Sequence, residues 1–574
     1  MKRTHAICLF LSLLAASAIA QVPLVNQLRP ASIATGHSAF TLTVIGGNFV
    51  SGATVSWNGS PRATTFVSWN KITAAITASD VASVGTAVVT VTNPGPSAAS
   101  NFEYFPIHPK FAAGAFARRD TVLASATTPQ SRPIVGDFNG DGKLDVAIVY
   151  AATFGGSVIE VFLGNGDGTF QNPLTSNSSL TSGTLAALGD FNNDGKLDLI
   201  GQDQYGSDYT YLGNGDGTFS EVSTVWGSWP GGFAVADLNR DGNLDVVVEG
   251  AEEGAAGTQA ELGNGAGVFT VKWNSTSVYD QTTGYCAVAD FNHDGKLDIA
   301  CPGNPSLFGQ GVEVAFGNGD GTFGTPVSYP TPVVGFTVLT GDLNGDGKLD
   351  LVTDGGWVLL GNGDGTFNTP NGAATIGMYY PQLVDINADG KLDLVGSAYN
   401  LASSGVNSLV VAMGNGNGTF QAPVVQEASW SNAIAAWGDF NGDGKLDAVM
   451  FAQDLITLKP ILSVLLQGNL AVSQTIISYG TYKVGTSSPT QVSVVTNIGA
   501  SPITISSVGF TFNAPDPSFT LASGCGATLP PGTSCTLGLT FTPQKKGALS
   551  AKVQIIYSGT VGNPQYIELA GSGN

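Results

Sequence analysis

A nine-residue pattern rich in aspartate recurs seven times between Asp137 and Asp447. The first, fifth and ninth residues are Asp, the third is Asn and the sixth is Gly in every copy. Side-chain oxygens at these alternating positions, with the main-chain carbonyl of the seventh residue, make an all-oxygen ligand set of the kind that calcium binds, and Gly permits the sharp turn. The pattern therefore predicts one calcium site in each copy.

The candidate metal ligands are the first, third, fifth, seventh and ninth residues of each copy. They are Asp137, Asn139, Asp141, Lys143 and Asp145; Asp190, Asn192, Asp194, Lys196 and Asp198; Asp237, Asn239, Asp241, Asn243 and Asp245; Asp290, Asn292, Asp294, Lys296 and Asp298; Asp342, Asn344, Asp346, Lys348 and Asp350; Asp385, Asn387, Asp389, Lys391 and Asp393; Asp439, Asn441, Asp443, Lys445 and Asp447. At the seventh position we expect the carbonyl to face the ion and the side chain to point away.

Turn formation alone is the alternative explanation, because Asp-Gly and Asn-Gly pairs are good turn formers. It does not account for three carboxylates at fixed positions in seven copies, since uncompensated carboxylates in one loop repel one another. The fourth position varies freely (Gly140, Asn193 and Arg240 in the first three copies), so we assign it no role.

The charge of the chain is concentrated in these loops. Its 43 acidic and 22 basic residues give a net charge of −21, and three aspartates in each of seven loops account for 21 of the acids. Such acidity argues against nucleic acid as a partner, because phosphates require basic patches.

A second repeated motif, a Gly-rich turn such as LGNGDGTF at 163–170, follows most copies. Apolar residues on either side of Asn-Gly or Asp-Gly predict a β-hairpin. Each repeat then reads as strand, Asp-rich loop, strand, connection, strand, turn and strand, and successive loops begin 43 to 54 residues apart, a spacing typical of propeller blades. The last repeat lacks its final strand. We predict that 111–122, ahead of the first repeat, supplies it.

Composition places these elements in an all-β protein. Gly is abundant at 77 residues and charged residues make up only 11%, which suits short strands and tight turns.

Residues 108–470 resemble the FG-GAP/VCBS repeat propellers, similar to the heads of integrin α subunits, on the strength of the seven loops. Residues 21–107 resemble an IPT/TIG immunoglobulin-like domain, through Leu42–Phe49 and Ala87–Asn93. Residues 471–574 resemble Hydin-like or choice-of-anchor immunoglobulin-type domains, through Val495–Gly499 and Leu539–Pro543. The resemblance implies a seven-bladed β-propeller flanked by two immunoglobulin-like β-sandwich domains. It also implies calcium in each blade and a role in adhesion or recognition.

Residues 1–20 read as a signal peptide. A basic start at Lys2 and Arg3 precedes an apolar run, and Ala18-Ile19-Ala20 precedes the expected cleavage site at Gln21. No other segment reaches the roughly 18 apolar residues of a membrane-spanning helix. We expect a secreted, cell-surface or periplasmic protein.

The four cysteines of the mature chain fit an oxidising compartment. Cys525 and Cys535 flank a Pro-Pro-Gly turn and predict a local disulfide. Cys286 and Cys301 lie on either side of the loop Asp290–Asp298, where a disulfide and two buried thiols are equally compatible with the sequence.

For function, the sequence favours a calcium-stabilised protein that binds an extracellular protein or carbohydrate. Aromatic residues in the connections on the face away from the metal loops suit sugar rings; they are Trp226, Trp229, Trp273, Tyr279, Tyr379, Tyr380 and Trp430. The alternative is a polysaccharide lyase or hydrolase built on the propeller, using a carboxylate pair. Nearly half of the acids belong to the loops, and the sequence contains no nucleophile or zinc motif, so we expect no enzyme.

Overall fold

The computed structural model describes residues 22–30, 33–34, 37–83, 85–95, 99–101, 103–108, 116–122, 132–151, 157–180, 183–203, 206–222, 226–227, 231–252, 255–275, 284–303, 311–332, 337–371, 378–387, 389–400, 406–430, 435–453, 460–468, 470–472, 476–497, 502–511, 517–558 and 565–574. Within these residues the regular structure is all β-strand, so the predicted all-β class is confirmed.

Nine strands form the N-terminal part: β1 (Leu24–Arg29), β2 (Ile33–Ala34), β3 (Phe40–Gly47), β4 (Thr54–Trp57), β5 (Ser60–Pro61), β6 (Thr64–Ser68), β7 (Lys71–Ile76), β8 (Gly85–Thr92) and β9 (Glu103–His108). They make two sheets, ordered β1-β3-β7-β6 and β2-β9-β8-β4-β5. Alternate apolar residues of both sheets share one core, in which Trp57 and Phe105 lie 5.1 Å apart between ring centroids. This β-sandwich is called the N-terminal sandwich below.

The central part contains 28 described strands. In chain order they are β10 (Phe116–Val122), β11 (Ile134–Gly136), β12 (Asp145–Ala151), β13 (Ser157–Phe162), β14 (Leu174–Ser178), β15 (Thr184–Gly189), β16 (Asp198–Gln202), β17 (Ser207–Gly213), β18 (Phe219–Glu221), β19 (Trp226–Gly227), β20 (Gly232–Ala236), β21 (Asp245–Glu252), β22 (Ala255–Gly263), β23 (Phe269–Asn274), β24 (Ala287–Ala289), β25 (Asp298–Gly303), β26 (Gly311–Ala315), β27 (Val327–Pro330), β28 (Val338–Gly341), β29 (Asp350–Thr353), β30 (Val358–Leu359), β31 (Tyr379–Val384), β32 (Asp393–Asn400), β33 (Val406–Ala412), β34 (Val424–Trp430), β35 (Ala435–Gly438), β36 (Asp447–Gln453) and β37 (Pro460–Gln467).

These strands form seven antiparallel sheets, numbered here in chain order. Sheets 1 to 4 are β11-β12-β13-β14, β15-β16-β17-β18 with β19 paired to β17, β20-β21-β22-β23 and β24-β25-β26-β27; sheets 5 to 7 are β28-β29-β30, β31-β32-β33-β34 and β35-β36-β37-β10. The first two strands of each sheet are joined by one Asp-rich loop, so loop 1 belongs to sheet 1 and loop 7 to sheet 7.

Apolar side chains between neighbouring sheets close the seven sheets into a ring. A separate buried cluster joins each consecutive pair of sheets. A further cluster joins sheet 7 to sheet 1, where Val146 and Ile148 meet Val449 and Leu462. Because the second strands are buried on both faces, they read as continuous apolar runs rather than as alternating ones. This ring is the β-propeller.

Strand β10 completes the last sheet, as predicted from the missing fourth strand. It pairs antiparallel with β37 from Phe116 opposite Gln467 to Val122 opposite Ile461. The chain segment that precedes the first repeat therefore joins the last one, which covers the edge that β37 would otherwise expose.

The C-terminal part has nine strands: β38 (Leu470–Val472), β39 (Ile476–Tyr482), β40 (Gln491–Asn497), β41 (Ile503–Phe510), β42 (Phe519–Ser523), β43 (Thr528–Leu529), β44 (Ser534–Phe541), β45 (Gly547–Tyr557) and β46 (Gln565–Gly573). Their sheets, β38-β40-β44-β42 and β39-β46-β45-β41-β43, enclose a core centred on Phe541, Leu537 and Val553.

Both candidate cysteine pairs are disulfides. Cys525 and Cys535 are bonded with their Cα atoms 4.9 Å apart, which confirms that prediction. Cys286 and Cys301 are also bonded, with Cα atoms 4.3 Å apart, because they face each other next to the paired residues Ala287 and Ala300. The disulfide, and not the pair of free thiols, is therefore the state of that site.

Residues 1–20, assigned to a signal peptide, lie outside the described residues. In the part of the chain that the structure describes, no helix has the length and apolar character to cross a membrane.

Candidate metal centre

The seven Asp-rich loops share one backbone path, built by hydrogen bonds from loop amides to loop carboxylates. The first aspartate accepts bonds from the amides of the fifth and sixth residues, at 3.0–3.3 Å and 2.7–3.1 Å. The third-position Asn Oδ1 accepts from the fifth amide at 2.8–3.0 Å. The fifth aspartate accepts from the seventh amide at 2.8–3.0 Å. The side-chain oxygens of the first, third and fifth residues therefore lie on the inside of the loop, where they accept hydrogen bonds from its amides.

The ninth aspartate connects three separate parts of its sheet. In loop 1, Asp145 Oδ2 accepts from the amide of Phe138 at 2.9 Å, and its Oδ1 accepts from the amide of Gly164 in the Gly-rich turn at 2.8 Å. The same two bonds recur in the other loops, with Gln467 donating in sheet 7. All seven of these residues are 0% exposed. The ninth carboxylate thus holds the loop to the turn, a role that the ligand pattern alone did not predict.

Burial and crowding of like charges raise the pKa of the ninth aspartates. Burial is the largest cause, amide hydrogen bonds act against it, and the first and fifth carboxylates add to it. The pKa rises to about 7 for Asp198, Asp298 and Asp393 and to about 8 for Asp245. In these loops the charges of the first and fifth carboxylates therefore disfavour the ionised form of the buried ninth one.

The only cation that recurs near these carboxylates, among the described residues, is the lysine of the seventh position. In all six loops that carry it, its Nζ lies 3.2–3.9 Å from the fifth carboxylate. The expectation that this side chain points away from the loop is therefore wrong. Most of these pairs are well exposed, as with Lys143 and Asp141 at 43% and 32%, so each contributes little stability.

The donor set fits a hard cation, because all candidate ligand atoms are oxygens carried by one short loop. An oxygen that accepts one amide bond keeps a further lone pair. Within the described residues, however, no loop brings an oxygen from each of its three aspartates within 4.8 Å of the other two. One cluster does meet that distance, Glu249 with Cys286 and Cys301, but its two sulfurs form the disulfide.

Two positions of the described loops adopt a left-handed backbone. The sixth-position glycines have φ between +78° and +93°. The fourth position also has positive φ wherever it is described: 73° at Gly140, 59° at Asn193, 64° at Arg240 and 59° at His293. The fourth residue, left without a role by the sequence analysis, therefore adopts a conformation that non-Gly residues rarely take. Gly at three of the seven fourth positions, together with Asn193 and His293, was the signal in the sequence.

The Gly-rich turns link neighbouring sheets. The last glycine of a turn donates its amide to the carbonyl of the second loop residue in the preceding sheet, as Gly168 does to Phe440 at 2.9 Å and Gly217 to Phe138 at 3.1 Å. Gly267, Gly365 and Gly418 do the same. The second loop residue is therefore anchored from both sides, by its buried side chain and by its carbonyl.

The N-terminal sandwich contacts the face of the ring that carries the loops. The Val22 amide donates to Asp237 Oδ2 at 2.8 Å and Asn48 Nδ2 donates to the Asp237 carbonyl at 2.8 Å, both in loop 3. At loop 5, the Asp342 amide donates to Gln27 Oε1 at 3.1 Å, and Arg29 forms an ion pair with Asp342. The N-terminal sandwich therefore binds two loops of the ring directly.

The innermost strands surround a central cavity of about 940 Å³. Ile134, Val235 and Trp437 line it from the ring, and Leu24 and Glu103 reach it from the N-terminal sandwich. Burial raises the pKa of Glu103 to about 8. The sandwich thus covers this end of the cavity.

The aromatic residues proposed as a sugar-binding rim are only partly described. Trp273 packs between sheets 3 and 4, 5.1 Å from Phe323, and so belongs to the core rather than to a rim. Tyr380 lies 5.6 Å from Tyr285, whose ring is covered by Arg132 at 4.8 Å. The side chains of Trp226, Trp229, Tyr279, Tyr379 and Trp430 lie outside the described residues.

Comparison with known proteins agrees with this architecture. A model of the FG-GAP-like repeat matches residues 137–201, 190–248, 306–353 and 385–450. A model of the HYDIN/CFA65/VesB-like Ig-like domain matches residues 468–572. A comparison with curated proteins found no match.

Among solved structures, the chain is similar to an auxiliary nutrient binding protein from Bacteroides ovatus, at 11% identity and TM-score 0.32 over 78% of this chain and 98% of that one. A putative phosphatase from Bacteroides thetaiotaomicron is similar at 12% identity and TM-score 0.30 over 78% and 98%. The PapD-like domain 7 of human CEP192 is similar at 14% identity and TM-score 0.16, over 18% and 85%. These scores carry no functional inference. The chain therefore contains FG-GAP-like repeats in its propeller and a HYDIN/VesB-like Ig-like domain at its C-terminal side.

Proposed function

We propose that this chain is a secreted recognition or adhesion protein of the FG-GAP/VCBS type, whose seven-bladed propeller is stabilised by calcium in its Asp-rich loops. The observation that carries the proposal is the repetition of one loop, with the same amide-to-carboxylate bonds, in all seven sheets. Seven copies of a self-repelling acidic group are costly to fold unless a cation compensates them. A bound divalent ion supplies that compensation.

Calcium is the ion we propose, rather than magnesium. The loop offers many oxygen ligands on a flexible turn, whereas magnesium requires near-ideal octahedral geometry and keeps several waters. The first, third and fifth side chains, the seventh carbonyl and the ninth carboxylate would hold the ion. Its role is structural, because the loops join the first two strands of each sheet and the N-terminal sandwich lies on their face.

Thermal unfolding tests the calcium proposal. A ligand that binds only the folded state raises the melting temperature, so we expect a higher melting temperature in millimolar calcium than in chelator, with a smaller rise in magnesium. Asp294→Asn in loop 4 should reduce the calcium-induced rise. Asp320→Asn, the same change in the Gly-rich turn of that sheet, should leave it unaltered. Identical melting curves in calcium and chelator would contradict the proposal.

Within this proposal the ligand is a carbohydrate bound on the face opposite the loops. The support is the cluster of Arg132, Tyr285 and Tyr380. These residues lie at the start of the innermost strands of three sheets, whereas the loops follow the ends of those strands. Aromatic rings and a guanidinium suit the apolar faces and hydroxyls of sugars. Binding to a glycan array in calcium buffer, lost in Tyr380→Ala, is the expected result, and an array without signal counts against a carbohydrate ligand.

Secretion is part of the proposal. The signal-like residues 1–20 and the two disulfides are consistent with an oxidising compartment. We also propose that the N-terminal sandwich is an IPT/TIG domain, on the residues given above. We propose a binding protein and not an enzyme, because the repeated acids hold the loops and turns together.

A further inference from the structure

Loop 5 differs from the other described loops because a charged side chain from the N-terminal sandwich pairs with one of its carboxylates. Arg29, the last residue of β1, forms an ion pair with Asp342, the first residue of the loop. The Asp342 side chain is 0% exposed and that of Arg29 is 26% exposed. The pair is therefore largely removed from water, and the attraction between the two charges is stronger than it would be in water.

The remaining acids of loop 5 act on the same guanidinium. Burial lowers the pKa of Arg29, and the charges of Asp346 and Asp350 act against that lowering. The first, fifth and ninth aspartates of this loop thus share one cation. Since arginine stays protonated throughout the accessible pH range, this cation is permanent.

The guanidinium is delivered by a fixed strand rather than by a flexible tail. Two residues earlier, Gln27 Oε1 accepts the Asp342 amide at 3.1 Å. Gln27 is buried, and β1 is paired with β3 along its length. The described ion pairs of loops 1, 2, 4, 6 and 7 are those of their own seventh-position lysine, whereas loop 5 has Arg29 in addition to its lysine.

We propose that Arg29 is the cation of loop 5, so that the chain binds six calcium ions and not seven. This inference rests on the proposed calcium function. A guanidinium and a divalent ion that face the same three carboxylates repel each other, and the covalently attached group occupies the loop whenever the N-terminal sandwich is in place. In loop 5 an ion pair between the N-terminal sandwich and the propeller therefore takes the place of a calcium ion.

Counting bound calcium tests the inference. The full-length chain is equilibrated in calcium buffer and passed through a metal-free desalting column, and calcium per chain is measured by mass spectrometry of the elements. We expect six ions in the unsubstituted chain and seven in Arg29→Ala. Arg62→Ala is the matched control with six, because Arg62 pairs with Asp80 inside the same sandwich.

A second pair of variants identifies the loop without changing Arg29. Asp342→Asn should leave the count at six, whereas Asp439→Asn in loop 7 should lower it to five. Seven ions in the unsubstituted chain, six in Arg29→Ala, or five in Asp342→Asn would each overturn the assignment of Arg29 while leaving calcium binding intact. If no variant binds calcium, the proposed function fails and this inference fails with it.

Discussion

At the scale of single residues, the shape of each loop depends both on side-chain hydrogen bonds and on backbone conformation. The ninth aspartate holds the turn of its own sheet, and the fourth and sixth residues bend the chain into the left-handed region. The repeated Asp, Asn and Gly predicted the loops correctly, because seven internal copies act as their own comparison. The left-handed backbone of the fourth position was not predicted, because several residue types can adopt that conformation and the position therefore shows no single repeated residue.

The sixth position allows this requirement to be measured alone. A Cβ added to Gly142 meets no atom within 4 Å, so Gly142→Ala costs only backbone strain at φ +81°. We expect a loss of about 1–2 kcal/mol in the free energy of unfolding, measured by denaturant titration in chelator. Gly509→Ala is the control, because that site is equally open and its φ is not positive. Equal stability of the two variants would show that the turn does not constrain the loop.

At the scale of elements, sequence predicted the strand order of a sheet and the donor of its missing strand. Repetition made this possible, since an incomplete last repeat has to be completed from outside it. The Lys143 side chain and strand β1 were not foreseen. The contacts of the N-terminal sandwich with loops 3 and 5 are made by residues outside the repeats, so comparing the seven copies with one another could not predict them.

Closure by β10 has a measurable consequence for stability. Replacing Phe116–Val122 by a Gly/Ser segment of equal length should remove the pairing with β37 and lower the free energy of unfolding by on the order of 3 kcal/mol or more, because an unpaired edge is exposed at the ring seam. The same replacement at the exposed residues 483–487 should cost far less. Comparable losses in both variants, by thermal or denaturant unfolding, would argue that β10 does not hold the ring together.

At the scale of the whole molecule, the acidic loops make stability depend on pH, and bound metal should weaken that dependence. In the metal-free chain, burial raises the pKa of the ninth aspartates above the unfolded value of 3.8, to about 6 for Asp145 and Asp350, about 7 for Asp198, Asp298 and Asp393 and about 8 for Asp245. The folded chain therefore holds more protons between those values. The stabilisation of the folded chain by these bound protons is complete below about pH 4 and is lost as pH rises through the folded-state pKa values.

We therefore expect the melting temperature in chelator to fall between pH 5 and pH 8. Calcium favours the ionised carboxylates, so in excess calcium this fall should shrink or disappear. Circular dichroism melts at matched ionic strength measure both series. A melting temperature in chelator that rises over this pH interval would mean that the buried aspartates are ionised without metal.

The seam of the ring also determines how the molecule carries mechanical tension. Coming from the N-terminal sandwich, the chain enters β10 at Phe116, and it leaves β37 at Gln467 for the two sheets of β38–β46, called here the C-terminal sandwich. Phe116 and Gln467 are direct partners in the pairing. A force that separates the two sandwiches is applied at one end of an antiparallel pair, so it opens the hydrogen bonds one after another instead of shearing them together. If both sandwiches are tethered, we expect the ring to open first at its seventh sheet, and only after the contacts of the N-terminal sandwich with loops 3 and 5 have broken, because these contacts carry the load before the seam does.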